Sequence, residues 1–388
     1  MEKRIIDFDA NATTRPFPEV VEEVARVMRE SWGNPGSQHP LGRRARRILE
    51  DSRESVAELL GADPEELIFT SGGTEANNLA LFGLAARWSH PQSLHPVLLT
   101  TPGDHPSCRE VYRALRDRGW QWQPCRVDDQ GLVSPDNLPY HDGVKLVSML
   151  WCHNETGVIQ PAEAIAAHCA QYQIPCHLDA VQAVGKIPVD FHRLQVSTLS
   201  FGAHKFHGPR GIGGLLVRRG VSLTPFMRGG HQERNRRPGT ENVALAAGMA
   251  LALRRCHQEL DRRRALLQQL RDRLQHGLMS HCAPMVVHAD QAPRLPNTLH
   301  VGFPGVSAEA LLVALELRGI CCSLGSTCAS GALEPSPMLL AMGVSEELAR
   351  SSLRFTLSCF NTPEEIDLAV RQIAETLSQL RKTHSMAR

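Results

Sequence analysis

Short apolar runs alternate with amphipathic segments through the first half of the chain. Each run has the length of a buried strand, and the runs occupy residues 67–70, 97–101, 144–150, 174–179 and 196–201. Apolar residues at helical spacing predict helices near 75–88, 106–118 and 161–172 between them. This alternation predicts an α/β fold with a mainly parallel central sheet and helices on both faces.

The remaining segments complete the large domain and predict a second, smaller domain. At the N-terminus, a short strand and an irregular arm lead to two amphipathic helices, at 18–31 and around 41–59. A long arginine-rich helix is predicted over 242–278, and strands and helices alternate again after it. We therefore divide the chain into an N-terminal arm of the small domain (1–16), a large domain (17–258) and a small α+β domain (259–388).

Composition excludes several classes of function. The 388 residues are 42% hydrophobic and 21% charged, with a net charge of +1, so nothing attracts nucleic acid electrostatically. No apolar run reaches the length of about 18 residues that a membrane span needs, and residues 1–7 lack the apolar core of a signal peptide. We expect a cytoplasmic protein with no membrane partner.

Eleven cysteines are scattered along the chain without any Cys-x-x-Cys pair. This distribution argues against a disulfide framework and against a zinc ribbon. Most of the eleven are expected to be small buried hydrophobic residues. Cys328 differs because it lies among small residues, in Ser-Leu-Gly-Ser-Thr-Cys-Ala-Ser-Gly, and it is the candidate for a reactive thiol.

Polar clusters follow the predicted strands where each strand ends. The clusters are Gly73 with Thr74, Asp104 with His105, residues 153–155, Asp179 with Gln182, and His204 with Lys205. Ligands of parallel α/β sheets bind at the carboxyl ends of the strands. We therefore expect these side chains to surround one site.

Three of the clusters suit pyridoxal 5'-phosphate (PLP). Gly73 and Thr74 follow a strand and open a helix, where free N–H groups and the helix dipole favour a phosphate. Asp179 ends an apolar strand, where a carboxylate needs a cation such as a protonated pyridine nitrogen. Lys205 stands where a strand breaks into a glycine-rich loop, which suits a Schiff-base lysine. A lone loop lysine is more often a surface residue, but the stretches 70–75 and 177–182 precede Lys205 in the order expected of a PLP site and outweigh that alternative. A metal site at His177 and Asp179 is the competing interpretation, and no third ligand at suitable spacing supports it.

Seven motifs occur in one order along the chain. They are Thr-Ser-Gly-Gly-Thr-Glu at 70–75, His105, His-Asn-Glu-Thr-Gly at 153–157, Asp-Ala-Val-Gln at 179–182, His204–Lys205, Arg-Pro-Gly-Thr-Glu-Asn at 237–242 and Gly-Ser-Thr-Cys-Ala-Ser-Gly at 325–331. The set resembles the NifS/IscS-type cysteine desulfurases, which are class V, fold-type I PLP enzymes. The resemblance extends from Asp9 to the final helix and implies the fold-type I transferase fold for the whole chain.

The resemblance implies a role for each matching residue. Lys205 would bind the cofactor covalently and move the substrate α-proton, and His105 would stack on the ring and assist proton transfer. Asp179 would bind the pyridine nitrogen, and Arg354 would clamp the substrate carboxylate. Asn154 and Gln182 would hold the phenolic oxygen of the cofactor ring. The phosphate contacts would come from Gly73, Thr74, His204 and, across a homodimer interface, Thr240. Asn34, in the polar loop 32–39, could face the substrate or form a structural turn.

The activity implied by the resemblance is removal of sulfur from L-cysteine. Alanine would be released, and Cys328 would carry the sulfur as a persulfide to a protein acceptor in iron–sulfur cluster assembly or thiolation. Two alternatives remain. One is another class V reaction, such as selenocysteine lysis or cysteine sulfinate desulfination, in which Cys328 is dispensable, and the other is an inactive scaffold in a sulfur-transfer complex.

Three residues depart from the family pattern. Gly202 replaces a phosphate-binding serine, His231 replaces the third glycine of a loop, and Leu324 replaces a small or polar residue near Cys328. The first departure implies a phosphate site with one side-chain donor fewer. The second puts the conformation of its loop in question.

Overall fold

The computed structural model describes residues 5–88, 95–325 and 334–386, with side chains as far as residue 382. Within these ranges the helices are α1 (Pro18–Glu30), α2 (Pro40–Leu59), α3 (Gly73–Ala85), α4 (Pro106–Arg116), α5 (Ala162–Gln171), α6 (Phe191–Leu194), α7 (Gln232–Asn235), α8 (Val243–Gln258), α9 (Leu260–His281), α10 (Ala308–Glu316), α11 (Pro337–Ala341), α12 (Glu346–Ala349) and α13 (Pro363–Met386). The strands are β1 (Ile6–Asp7), β2 (Leu67–Thr70), β3 (Val97–Thr100), β4 (Gln121–Pro124), β5 (Val144–Leu150), β6 (Cys176–Asp179), β7 (Thr198–Gly202), β8 (Gly213–Val217), β9 (Val286–Val287), β10 (Thr298–Gly302), β11 (Ile320–Cys321) and β12 (Ser352–Thr356).

A seven-stranded sheet of order β2-β8-β7-β6-β5-β3-β4 is the centre of the fold. Only β8 runs antiparallel to its neighbours, so the prediction of a mainly parallel sheet is confirmed. Successive residues of a strand point to opposite faces. Leu98 and Leu146 pack against α3 and α4 on one face, whereas Leu99 and Val147 belong to the core on the other face, beside α5. Both faces are therefore buried.

A second hydrophobic core forms around a smaller antiparallel sheet of order β12-β10-β9. Helices α9, α10 and α13 contribute to this core through residues such as Leu274, Leu311 and Ile373. The N-terminal arm joins it as well, because β1 pairs with β11 and both Ile6 and Phe8 are buried there. The start of the chain therefore packs with its last third.

The predicted helix over 242–278 is wrong, because the segment forms two helices. Glu259 separates α8 from α9 with φ −103° and ψ 10°. The two halves also differ in environment, since α8 is mostly buried, with residues such as Met249 and Leu253, and the arginine-rich pattern belongs to α9. Neither proline nor glycine marks the break, so it could not be predicted from residue types.

Strands β4 and β8 were not predicted. Strand β4 is a polar edge strand that is largely exposed, so it lacks the apolar pattern of a buried strand. Strand β8 begins with two glycines that β-propensity disfavours. They are needed because a Cβ at Gly214 would lie 2.3 Å from Cζ of Phe201 on β7. Over the described ranges, no helix has the length and apolar content to cross a bilayer.

Candidate active site

A cavity of about 440 Å³ opens at the carboxyl edge of the large sheet. Loops that follow β2, β3, β5, β6 and β7 form its walls, and the N-terminal arm and β12 close one side. Nine residues predicted from the sequence line it, namely Gly73, Thr74, His105, Asn154, Asp179, Gln182, His204, Lys205 and Arg354. The expected convergence of polar clusters at the strand ends is confirmed.

Two predicted residues, Thr240 and Asn34, do not line the cavity, and a third, Cys328, is not described. Thr240 is exposed and does not line the cavity of its own chain. Asn34 is also exposed, and its Oδ1 accepts a hydrogen bond from the Gly36 N–H (2.8 Å), which is the geometry of a structural turn. Cys328 lies outside the described residues, although Gly325 and Glu334, which bound residues 326–333, both line the cavity.

Lys205 ends a short 3₁₀ turn directly after β7, so its side chain is delivered to the carboxyl edge of the sheet. Its Nζ donates to the backbone oxygens of Asn11 (2.6 Å) and Ala12 (2.9 Å). Burial, assisted by the positive charge of Arg354, lowers the pKa of Lys205 to about 8. About a tenth of the amine is therefore unprotonated at pH 7, far more than in an ordinary lysine, which favours a nucleophilic role.

Asp179, the last residue of β6, is buried with 3% of its surface exposed. Its Oδ2 accepts from Asn77 Nδ2 (2.8 Å) and its Oδ1 from the backbone N–H of Val181 (3.0 Å). No cationic side chain of the described residues lies within ion-pair distance of this carboxylate. A buried carboxylate that is held in place without a cation suits a ligand that supplies one.

The alternative of a metal site at His177 and Asp179 receives no support. His177 Nδ1 lies 2.9 Å from Thr198 Oγ1, and its Nε2 lies 3.0 Å from Asn77 Oδ1. Both ring nitrogens are thus hydrogen-bonded to side chains. Burial lowers the pKa of His177 to about 3, so the ring is neutral and serves to hold Asn77.

His105 is held in one tautomer by Ser107. Its Nδ1 accepts from the backbone N–H of Ser107 (3.1 Å) and lies 2.8 Å from Ser107 Oγ. That hydroxyl is itself hydrogen-bonded by Asn77 Nδ2 (2.9 Å), so its proton is free for His105. Burial lowers the pKa of His105, although the charge of Asp179 opposes the shift. The neutral ring therefore carries its proton on Nε2.

Asp104 stays protonated beside these residues. It is 3% exposed, and burial raises its pKa to about 8, with Asp179 adding to the rise. Its Oδ2 lies 2.8 Å from the Tyr112 hydroxyl. Near neutral pH the Asp104 carboxyl is consequently mostly neutral, and it adds little negative charge beside Asp179.

The opposite end of the cavity suits a phosphate. Gly72 precedes α3 without a side-chain cap, which leaves the first N–H groups of the helix open to an anion. A Cβ at Gly73 would lie 2.6 Å from Val181 Cγ2, so this close approach needs glycine. His204 Nδ1 lies 3.1 Å from Thr13 Oγ1, and burial lowers the pKa of His204 to about 4, so the ring is neutral.

Arg354, on β12 of the smaller antiparallel sheet, lines the cavity. Its Nη2 forms an ion pair with Asp9 Oδ1 (2.6 Å), and its Nη1 donates to the Asn154 backbone oxygen (3.1 Å). The buried Nε has no hydrogen-bond partner among the described residues. A guanidinium that is fixed on one side with a donor to spare can bind a carboxylate.

Comparison with known proteins decides the family. Residues 6–369 match the family model described as aminotransferase class-V. The chain belongs to the class-V aminotransferase family.

Its relatives within this family are similar over nearly their whole length. The cysteine desulfurase of Trichormus azollae is 39% identical over 381 residues, covering 97% of this chain and 94% of the relative. The cysteine desulfurase NifS of Azotobacter vinelandii is 38% identical over 376 residues, covering 96% and 92%. A solved NifS-like protein superposes with a TM-score of 0.89 at 36% identity, covering 97% of this chain and 100% of that structure. The fold is therefore the fold-type I class V fold predicted from the motifs.

Class-V aminotransferases are PLP-dependent, and the residues of this cavity fit PLP. The uncapped start of α3 suits the phosphate, and Asp179 lacks the cation that a pyridinium would provide. Lys205 presents an amine with a lowered pKa in the same cavity. The volume lies within the usual range of cofactor sites.

The three departures from the family pattern have structural outcomes. His231 has φ −93°, an ordinary conformation, and the left-handed residues of its loop are Glu233, Arg234 and Asn235. Leu324 packs against the hydrophobic core of the smaller domain. At Gly202 a Cβ would lie 3.4 Å from the Gly73 nitrogen and 3.5 Å from His204 Cδ2, so the site has room for a side chain.

Sequence reasoning missed the residues that hold the site together. Asn77 links Asp179, Ser107 and His177, and its place one turn after Thr74 on α3 was a usable signal. Asn11 gave no signal, because its partners lie far away in the sequence; its Nδ2 donates to Thr298 Oγ1 (3.0 Å).

Proposed function

We propose that this class-V aminotransferase is a cysteine desulfurase that converts L-cysteine to L-alanine and holds the sulfur on Cys328 as a persulfide. One observation carries the proposal. A single cavity combines Lys205, the carboxylate of Asp179 and the guanidinium of Arg354, and both residues that bound the segment containing Cys328 line it. The similar proteins named cysteine desulfurase support the same activity.

Each residue has a distinct task in the reaction. Arg354 binds the substrate carboxylate, Lys205 takes the α-proton and returns it to carbon, and His105 assists with its Nε2 proton. When bound, PLP withdraws electrons from the substrate Cα through its ring, which Asp179 keeps protonated. The Cys328 thiolate then forms a bond to the substrate sulfur. The Cβ–S bond breaks, its electron pair stays on carbon, and protonation of Cβ completes alanine.

The other cysteines of the described residues are poor alternatives as sulfur acceptors. Burial raises the pKa of the Cys322 thiol to about 12 and that of the Cys256 thiol to about 11. Burial also raises the pKa of Cys321, although this residue is exposed at β11. A thiol with a raised pKa supplies little thiolate at neutral pH. The raised pKa values of these thiols therefore favour Cys328 as the sulfur acceptor.

The direct test is incubation of purified protein with L-cysteine and a reductant. We expect alanine and sulfide in equal amounts. Parallel reactions with selenocysteine and cysteine sulfinate, each run with the wild type and with a Cys328 variant, separate the alternative class V activities. Those activities would proceed in the variant. A protein that shows no lysine-bound cofactor in its absorption spectrum and no alanine production would instead be an inactive scaffold, contrary to the proposal.

We further propose a protein sulfur acceptor and a cytoplasmic location. A persulfide must pass its sulfur on before the next turnover, so a partner with a nucleophilic or iron-bound site is required. The ten cysteines of the described residues are all free thiols, which fits a reducing compartment. Neither nucleic acid nor a membrane is needed for this transfer.

We also propose a homodimer with shared sites, which the resemblance to the desulfurases implies and which the exposed position of Thr240 allows. If Thr240 of the partner subunit completes the phosphate site, Thr240→Glu should abolish cofactor binding by charge repulsion. Mixing this variant with Lys205→Ala should then restore about a quarter of the wild-type activity, because random exchange gives half heterodimers with one intact site each. Mixed subunits that regain nothing, or an active monomer by light scattering, would contradict the shared site.

Replacing Gly202 should improve phosphate binding. The residue has φ −136°, which any amino acid adopts, and the built Cβ position is free of close contacts. We expect Gly202→Ser to fold normally and to add one hydrogen bond to a charged group, worth about 1.5–3 kcal/mol. Equilibrium dialysis should show PLP bound more than about tenfold tighter. Gly202→Ala is the control, and equal affinity of the two variants would show that the hydroxyl makes no contact.

A further inference from the structure

Lys186 is a second buried lysine, which donates hydrogen bonds to the cavity-lining residues Asn11 and Gln182, and the reaction above gives it no task. It lies in the turn after β6, with 7% of its surface exposed. Its Nζ donates to Asn11 Oδ1 (2.8 Å) and to Gln182 Oε1. Both acceptors are neutral amide oxygens. A lysine buried without a carboxylate is costly to the fold, which calls for a functional explanation.

The contact with Gln182 fixes the direction of its side-chain amide. A lysine can only donate as an ammonium, so it selects the oxygen of the amide, and the nitrogen must point the other way. That nitrogen donates one hydrogen to the Asn11 backbone oxygen (2.9 Å). Gln182 also lines the cavity, so its second N–H is available there. Without Lys186, only the hydrogen bond to the Asn11 backbone oxygen would hold the amide in this direction.

We infer that Lys186 is a positioning residue that presents the amide N–H of Gln182, rather than its oxygen, to the phenolic oxygen of the cofactor. The inference rests on the proposed attachment of PLP to Lys205, but not on the identity of the substrate. The phenolic oxygen carries most negative charge when the nitrogen of the Lys205 linkage has lost its proton. A donor at this oxygen therefore lowers the pKa of that nitrogen.

The charge of Lys186 also favours a lower pKa at the nitrogen that links Lys205 to the cofactor. Burial lowers the pKa of Lys186 to about 7, reinforced by Lys205, Arg354 and Arg263 and opposed by Cys152. Lys186 is thus partly charged at neutral pH, and its charge would also lower the pKa of the nearby linkage. A neutral amine still has two N–H groups for its two acceptors, so the orienting contact persists when the charge is lost.

Two substitutions separate the orienting contact from the charge. Lys186→Met removes both the donors and the charge, whereas Lys186→Gln keeps an amide donor and removes the charge. The readout is the pH titration of the absorption band of the lysine-bound cofactor, without substrate. We expect Lys186→Met to raise the pKa of the linkage by about one unit or more, Lys186→Gln to restore at least half of the shift, and Lys145→Met, at a distant site, to change nothing.

A double variant tests the route through Gln182. Gln182→Leu should raise the same pKa, and adding Lys186→Met to it should raise it further by no more than Lys186→Gln does alone, because only the effect of the charge is then left to lose and the orienting contact is not additive. An unshifted Lys186→Met titration, or equal shifts for Lys186→Met and Lys186→Gln, would overturn the inference. If Lys186→Met does not fold, Lys186→Gln is compared with Gln182→Leu instead. Equal pKa shifts of the linkage in these two variants would also overturn the inference. Wild-type protein without a cofactor band would refute the proposed function instead.

Discussion

Lys205→Ala should abolish covalent attachment of PLP and lower turnover at least about 10⁴-fold, because one side chain serves as both the attachment point and the proton carrier. The cavity of the described residues offers no second amine in the same place, since Lys186 is committed to Asn11 and Gln182. Borohydride reduction followed by peptide mapping measures the attachment. We expect one modified peptide in the wild type, containing Lys205, and none in the variant.

The pH dependence of attachment gives a second measurement. Burial lowers the pKa of Lys205 to about 8, so its amine gains nucleophilicity as the pH rises through that value, well below the range of an ordinary lysine. Cofactor-free protein should therefore react with PLP faster as the pH rises from about 7 to 9. Lys145→Ala is the matched control and should behave as wild type. A modified peptide containing Lys186 instead would contradict the assignment.

Cys328→Ser should lower turnover of L-cysteine about 10³-fold or more while leaving cofactor binding unchanged. A serine hydroxyl is far less acidic than a thiol and cannot accept a sulfur atom. The variant should still bind L-cysteine, because Arg354 and Lys205 remain in the cavity. The shift of the cofactor band on adding cysteine measures binding, and alanine release measures turnover.

Mass spectrometry identifies the residue that carries the sulfur. Wild-type protein treated with cysteine should gain one sulfur atom on the peptide that contains Cys328, and reduction should remove it. Cys321→Ser and Cys322→Ser are suitable controls, since both thiols have raised pKa values, and they should retain nearly full activity. Normal alanine production by Cys328→Ser, or a persulfide on Cys108 or Cys359, would refute the role of Cys328.

The sequence predicted the parts of the site that depend on local pattern. A polar residue directly after an apolar strand is visible in the sequence, and Asp179 and Lys205 were found in this way. A parallel sheet then brings such strand ends together, so the cavity followed from the alternation of elements. The role of Gly73 could also be predicted locally, because it follows a strand and opens a helix.

Features that depend on distant contacts could not be predicted. The position of Asn77 one turn after Thr74 places it near the site, but its partners His177 and Asp179 are 100 and 102 residues away, so its contacts could not be read from the sequence. Asp9 has no motif of its own, yet it pairs with Arg354. The break at Glu259 reflects the change from a buried to a largely exposed helix, and no residue type marks it.

The N-terminal arm imposes an order on the maturation of this enzyme. The backbone N–H of Asn11 bonds to Thr356 Oγ1 (3.0 Å), a partner 345 residues away in the chain. At synthesis rates of about 5–20 residues per second, the arm waits roughly 20–70 s on the ribosome for that partner. The large sheet can form in the meantime. The part of the cavity wall formed by Asn11 and Ala12, whose backbone oxygens accept from Lys205, cannot. Capture of the cofactor is consequently expected as one of the last events in the life of the nascent chain.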